Sequence, residues 1–152
     1  ELAREHADTL RFCRELINFR RRHPAFKRSE FFSGQDKNLN GLPDITWYNE
    51  KRKPVDWDTT SNLLAVLIDG SRAEIQADRD DDDFFLMFNA SREDTRFVLA
   101  PPPSGKIWYR KIDTALEPDI LDMGSSEAIA SQRRYDVKAF SMVLLLSEIH
   151  RT

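Results

Sequence analysis

Trp47, Tyr48 and Trp57 stand in one stretch with Asp44, Asn49, Asp56 and Asp58. Aromatic faces beside hydrogen-bonding side chains suit a sugar ring, whose C–H face is apolar and whose rim is polar. A structural reading competes with that one. If the stretch is a strand, alternate members point into a core, and this claims Trp47 more readily than Trp57, which follows Pro54 among polar residues. Trp57, Trp47 and Asp56 are therefore the candidates for carbohydrate contact.

Other chemistry finds less support. Asp80, Asp81, Asp82 and Asp83 offer oxygen ligands, but consecutive carboxylates repel one another and lack the alternating spacing and central glycine of an EF-hand loop. A solvated turn ahead of a strand is the expectation. His6, His23 and His150 are scattered, none with a second metal ligand at helical or turn spacing. Cys13 falls on an apolar helix face and reads as a small buried hydrophobe, not a nucleophile. Asn89-Ala90-Ser91 has the form of a glycosylation sequon but reads as the end of a strand. With 5 glycines in the chain, no glycine-rich strand-to-helix loop can cradle a phosphate. The spacing of the 26 acids nominates no pair for glycosidic chemistry. No catalytic, cofactor-binding or metal-ligating residue emerges, and no cofactor is implied.

The elements that must hold these residues fit a single domain of 152 residues. Hydrophobic content of 40% with 32% charged residues is that of a globular protein. The longest apolar runs are strand-sized, so no membrane span is expected. A net charge of -3 with a pI near 5.7 lacks the basic footprint of a general nucleic-acid binder. One cysteine and no secretory leader favour a reducing, cytoplasmic compartment. The chain begins at Glu1 without Met, which suggests a fragment or a processed product.

Residues 2–23 carry helical period, with Leu10, Cys13 and Ile17 on one face, Phe12, Leu16 and Phe19 beside them, and charges opposite. Pro24 ends the helix at His23. Arg20, Arg21 and Arg22 then complement the helix dipole, which accounts for the basic cluster over 20–28 without a phosphate. Beyond Pro24 the period changes. Segments 44–48, 63–69, 84–89, 96–99, 107–113, 135–137 and 140–147 are rich in β-branched, aromatic and Leu residues and are separated by turn signals such as Asn40-Gly41 and Asp69-Gly70. Short strands without interleaved helices predict a mainly β fold: an antiparallel β-sandwich preceded by one amphipathic N-terminal helix. That helix must cover an edge or face of the sandwich, or else meet a partner outside this chain.

The first part of the chain holds Leu16-Ile17-Asn18-Phe19-Arg20-Arg21-Arg22-His23-Pro24-Ala25-Phe26, Phe31-Phe32-Ser33-Gly34 and Gly41-Leu42-Pro43-Asp44-Ile45-Thr46-Trp47-Tyr48. Further along come Pro54-Val55-Asp56-Trp57, Phe88-Asn89-Ala90, Trp108-Tyr109-Arg110-Lys111-Ile112-Asp113-Thr114, and Tyr135-Asp136-Val137 before Ser141. In this order these blocks carry a resemblance to the C-terminal part of the isoamylase-type glycogen debranching enzymes of the α-amylase superfamily. It spans nearly the whole chain, and the block from Asp44 to Trp57 is its most diagnostic part. The Asp80–Asp83 run and segment 117–134 match no motif of it.

The resemblance implies two parts: residues 1–24 as the last helix of an upstream catalytic (β/α)₈ barrel, and residues 25–152 as the β-sandwich appended to it. The family's catalytic carboxylates belong to barrel motifs absent here, so the resemblance carries no catalytic residue onto this chain. It implies a parent that hydrolyses α-1,6 branch linkages of glycogen-like glucans by the retaining two-carboxylate mechanism. This segment would stabilise the barrel and border its glucan cleft. Two other readings stay open, an independent carbohydrate-binding module using Trp57 and Trp47, and an interaction module docking through Leu10, Cys13 and Ile17.

Overall fold

The computed structural model describes residues 6–59, 61–103, 105–122 and 124–149. Residues 2–5 of the expected helix, and His150, lie outside the described residues. Helix α1 (Ala7–Arg22) ends where the sequence predicts, and a 3-10 turn (Pro24–Phe26) follows directly. The strands are β1 (Ile45–Tyr48), β2 (Leu63–Ile68), β3 (Phe84–Asn89), β4 (Thr95–Val98), β5 (Lys106–Asp113), β6 (Glu127–Ala128), β7 (Arg134–Val137) and β8 (Ser141–Ile149). A single helical turn, α2 (Arg72–Ile75), interrupts the strands between β2 and β3, where none was expected.

Six strands form one antiparallel sheet in the order β1-β2-β3-β8-β5-β6, and β4 pairs with β7 in a separate ribbon. The central strands β2, β3 and β8 are nearly all apolar because both of their faces are buried. Val66, Ile68, Phe84, Leu144 and Leu146 face α1 together with Phe19. Ala65, Leu67, Phe85, Met87, Val143 and Leu145 face the ribbon, where Phe97 of β4 and Val137 of β7 close over Trp108. The fold is thus a β-sandwich with a helix laid on its outer face.

The helix does not bury the stripe expected from sequence. Phe12, Leu16 and Phe19 pack on the sheet, whereas Leu10 and Ile17 are 47% and 54% exposed and Cys13 is exposed too. The two stripes lie about 130° apart at ~100° per residue, so a straight helix cannot press both onto one flat sheet. Aromatic residues bury the larger area, and their flank prevails.

Segment 117–134 works as a brace. Asp119 accepts Arg11 Nη2 of α1 at 2.6 Å. Lys111 sits where the pairing of β5 with β8 shifts register, and its buried ammonium donates to the carbonyls of Leu121, Asp122 and Ser125 at 2.6–2.9 Å. Burial lowers the pKa of that lysine. Gln132 grips the backbone of Trp108, accepting from its N–H at 2.6 Å and donating to its carbonyl at 3.0 Å.

Candidate functional site

Trp47 and Trp57 come together through a tight reversal of the chain. In β1, Ile45 and Trp47 pair with Ile68 and Val66 and share their face. Tyr48 points the other way, toward Phe85. After β1, Asn49 Oδ1 accepts the backbone N–H groups of Lys51 and Lys53, and Asn49 N–H donates to the Lys53 carbonyl. Pro54 then bridges back to Tyr48. The returning chain enters a turn in which Asp56 Oδ1 accepts Asp58 N–H and the Asp56 carbonyl accepts the Thr59 hydroxyl.

This geometry brings the Trp47 and Trp57 rings to 5.6 Å between centroids at 73°, an edge-to-face corner. β1 is the edge strand of the sheet, and Trp47 is 40% and Trp57 67% exposed. Trp47 is therefore no core residue, contrary to the alternation argument. Asp56 is exposed beside the pair and shapes the turn that carries Trp57. The corner offers two apolar faces and adjacent carboxylates. Such a corner can stack on an apolar ring and hydrogen-bond its polar rim.

A second constellation escaped sequence reasoning. His23 Nδ1 lies 2.7 Å from Asp81 Oδ1, while Asp81 Oδ2 accepts Ala25 N–H at 3.0 Å. Ligand atoms of His23, Asp81 and Asp82 all lie within 4.8 Å of one another, in a cavity of about 390 Å³. The chain distance from 23 to 81 hides this group from any spacing rule. Arg22, Arg79 and Lys111 line the same cavity together with Asp80 and Glu148, so its charges are mixed. The satisfied Asp81 reads instead as a clasp that fastens the end of α1 to the sheet.

The solvated turn expected at 80–83 is corrected accordingly. Asp83 is 4% exposed and accepts Lys106 Nζ at 2.9 Å, the Ser147 hydroxyl at 2.7 Å and Gly70 N–H at 3.0 Å. Asp81 and Asp82 are half-buried, and only Asp80 is exposed, where it accepts Arg72 N–H. Burial pushes the Asp82 carboxyl up to about 6. Cys13, expected to be buried, lies exposed on the uncovered side of α1.

Comparison with known proteins adds to this geometry. Residues 44–146 match the family described as "Isoamylase, C-terminal". An isoamylase of Flavobacterium sp. is 28% identical over 151 residues, which cover 93% of this chain and 19% of that protein. An isoamylase of Pseudomonas amyloderamosa is 33% identical over 107 residues, 68% of this chain and 12% of that protein. A glycogen operon protein GlgX homolog of Mycobacterium tuberculosis is 26% identical over 153 residues, 95% of this chain and 21% of that protein. The chain spans about a fifth of the length of these relatives, or less.

Proposed function

The chain belongs to the isoamylase C-terminal family, and from that premise we propose that it serves as the noncatalytic β-sandwich domain of a glycogen-debranching glycoside hydrolase. In this reading residues 1–24 form the last helix of an upstream (β/α)₈ barrel, and 25–152 form the appended domain that stabilises it. The parent hydrolyses α-1,6 branch linkages of glycogen-like glucans with carboxylates that lie in the barrel. One observation carries the reading: α1 is embedded through Phe12, Leu16 and Phe19, yet presents Leu10 and Ile17, about half exposed, on another side. A two-faced helix of this kind suits the seam between two layers. No helix of the described residues is long and apolar enough to cross a membrane. The exposed unpaired thiol of Cys13 fits a reducing, cytoplasmic setting for the parent.

The experiment compares purified residues 1–152 with the same region in its full-length parent. The isolated chain releases no reducing ends from glycogen, and debranching by this fragment alone would sink the proposal. In the parent, Ile17→Asp lowers the thermal midpoint and the yield of active enzyme, while in the isolated chain it leaves stability nearly unchanged. Equal effects in both would remove the barrel seam from the explanation.

A second reading rests on the exposed Trp47–Trp57 corner, which suits a glucan ring at the border of the parent's cleft. Trp57→Ala is expected to weaken glucan binding by about 1–3 kcal/mol in affinity electrophoresis or calorimetry. Unchanged affinity in that variant counts against it.

A further inference from the structure

The loop before β1 reads Asp36-Lys37-Asn38-Leu39-Asn40-Gly41-Leu42. Oxygen-bearing side chains alternate at its first, third and fifth positions, and a glycine stands sixth, as in the first half of a calcium-binding loop. Its backbone takes the sharp path that such a loop needs, with φ of +58° at Leu39 and +89° at Gly41. Asp36 accepts Asn40 N–H at 3.1 Å through Oδ1 and Gly41 N–H at 2.8 Å through Oδ2. Asn38 Oδ1 and Asn40 Oδ1 each accept one backbone N–H, from Asn40 and Leu42, and each keeps a second lone pair.

These features fold a loop and alone do not make a site. The independent observation is Glu74, which the one-turn helix α2 delivers from far along the chain. Glu74 is 0% exposed, and its carboxylate points at the loop, with Oε1 2.6 Å from Lys37 N and 2.9 Å from Asn38 N. Its Oε2 is buried without a hydrogen-bond partner. Among the described residues no Lys, Arg or His pairs with Glu74, Asp36 or the adjacent Asp69. A buried carboxylate held only by two N–H groups lacks the counter-charge that burial normally demands. The twelfth loop position, where such loops place a bidentate Glu, is Trp47 here, and the ninth, Asp44, is already held by Arg28, Ser33 and Gly34.

We propose that loop 36–42, completed by the Glu74 carboxylate, binds a calcium ion. Asp36, Asn38, Asn40 and the Leu42 carbonyl supply one side, and Glu74 takes the role that the twelfth residue leaves vacant. An all-oxygen set with two amides suits calcium better than zinc or a softer metal, and its adjustable geometry suits calcium better than magnesium. Two carboxylates among the ligands place the affinity in the weak class, with Kd about 10⁻⁴–10⁻³ M.

The test is calorimetric titration of the intact protein with CaCl₂ after EGTA stripping, with the thermal midpoint followed in parallel. The wild type takes up one more calcium ion than Glu74→Gln, and its midpoint rises with calcium where that of Glu74→Gln rises less. Asn38→Asp adds a charged ligand at the third position and tightens calcium binding several-fold, so the test survives even if Glu74→Gln fails to fold. Titration with MgCl₂ yields at least tenfold weaker binding. Isotherms that are the same for the wild type and Asn38→Asp, or a midpoint indifferent to calcium, would overturn the assignment.

Discussion

Replacing Phe19 by alanine asks whether α1 is part of this fold or merely attached to it. Phe19 is 4% exposed, and its ring lies 4.3 Å from that of His23, 5.5 Å from Phe26 and 5.9 Å from Phe84 between centroids. Truncating a buried phenylalanine in such a cluster costs about 3–5 kcal/mol, the transfer of the ring plus the cavity it leaves. For a chain of this size each kcal/mol moves the midpoint by about 2–4 °C, so Phe19→Ala should melt about 6–20 °C below the wild type. Ile17, at 54% exposure on the other stripe, should lose no more than about 0.5 kcal/mol when cut to alanine. The assay is thermal unfolding of residues 1–152 followed by circular dichroism, with urea midpoints as a second measure. Similar small shifts for both variants would mean that α1 is not docked through the Phe12–Leu16–Phe19 flank. A large shift for Ile17→Ala alone would mean that the stripes have been assigned the wrong way round.

Two further perturbations address the 80–83 turn. Burial raises the Asp82 carboxyl from 3.8 to about 6, so between these values the folded chain holds a proton that the unfolded chain has lost. That contribution to stability is full below about pH 4 and is lost as pH rises through 6; Asp82→Asn should therefore stabilise the protein by about 1–3 kcal/mol at pH 8 and hardly at all at pH 4. Equal effects at the two pH values in urea titrations would rule this out. At Gly70 an added Cβ would sit 1.9 Å from the Asp82 carbonyl oxygen, backbone that cannot swing aside. Gly70→Ala should cost at least about 1–3 kcal/mol and separate the Gly70 N–H from Asp83, read as a lower urea midpoint.

Much of the architecture was legible because apolar runs such as Leu63–Ile68 and Phe84–Asn89 need two buried faces, and strands of that length offer them. The helix end at Pro24 was equally plain. Its buried side was not, since Leu10-Cys13-Ile17 and Phe12-Leu16-Phe19 are both stripes at helical spacing, and only the sheet beneath decides between them. β6 and α2 are too short to leave a period. At the aromatic corner, residue types pointed to Trp57 and Trp47, but their contact depends on a reversal set by Asn49 and Pro54 that alternation alone cannot reveal. The His23–Asp81 clasp and the Glu74 carboxylate above loop 36–42 join residues distant in the chain, so no local spacing encodes them. The alternating Asp-x-Asn-x-Asn-Gly run was the one sequence signal of that loop, and it carries weight only beside Glu74.

The grip of Gln132 on Trp108 has a consequence for the margin of the sheet. β6 covers β5 only opposite Tyr109 and Arg110, so the outward N–H and carbonyl of Trp108 would otherwise stand open as a template for another strand. The amide of Gln132 presents a donor and an acceptor at the spacing of a peptide group and fills that place with a side chain. A single residue thus impersonates a neighbouring strand. Its loss would leave a short adhesive margin on the sheet, through which copies of the chain could pair edge to edge at high concentration.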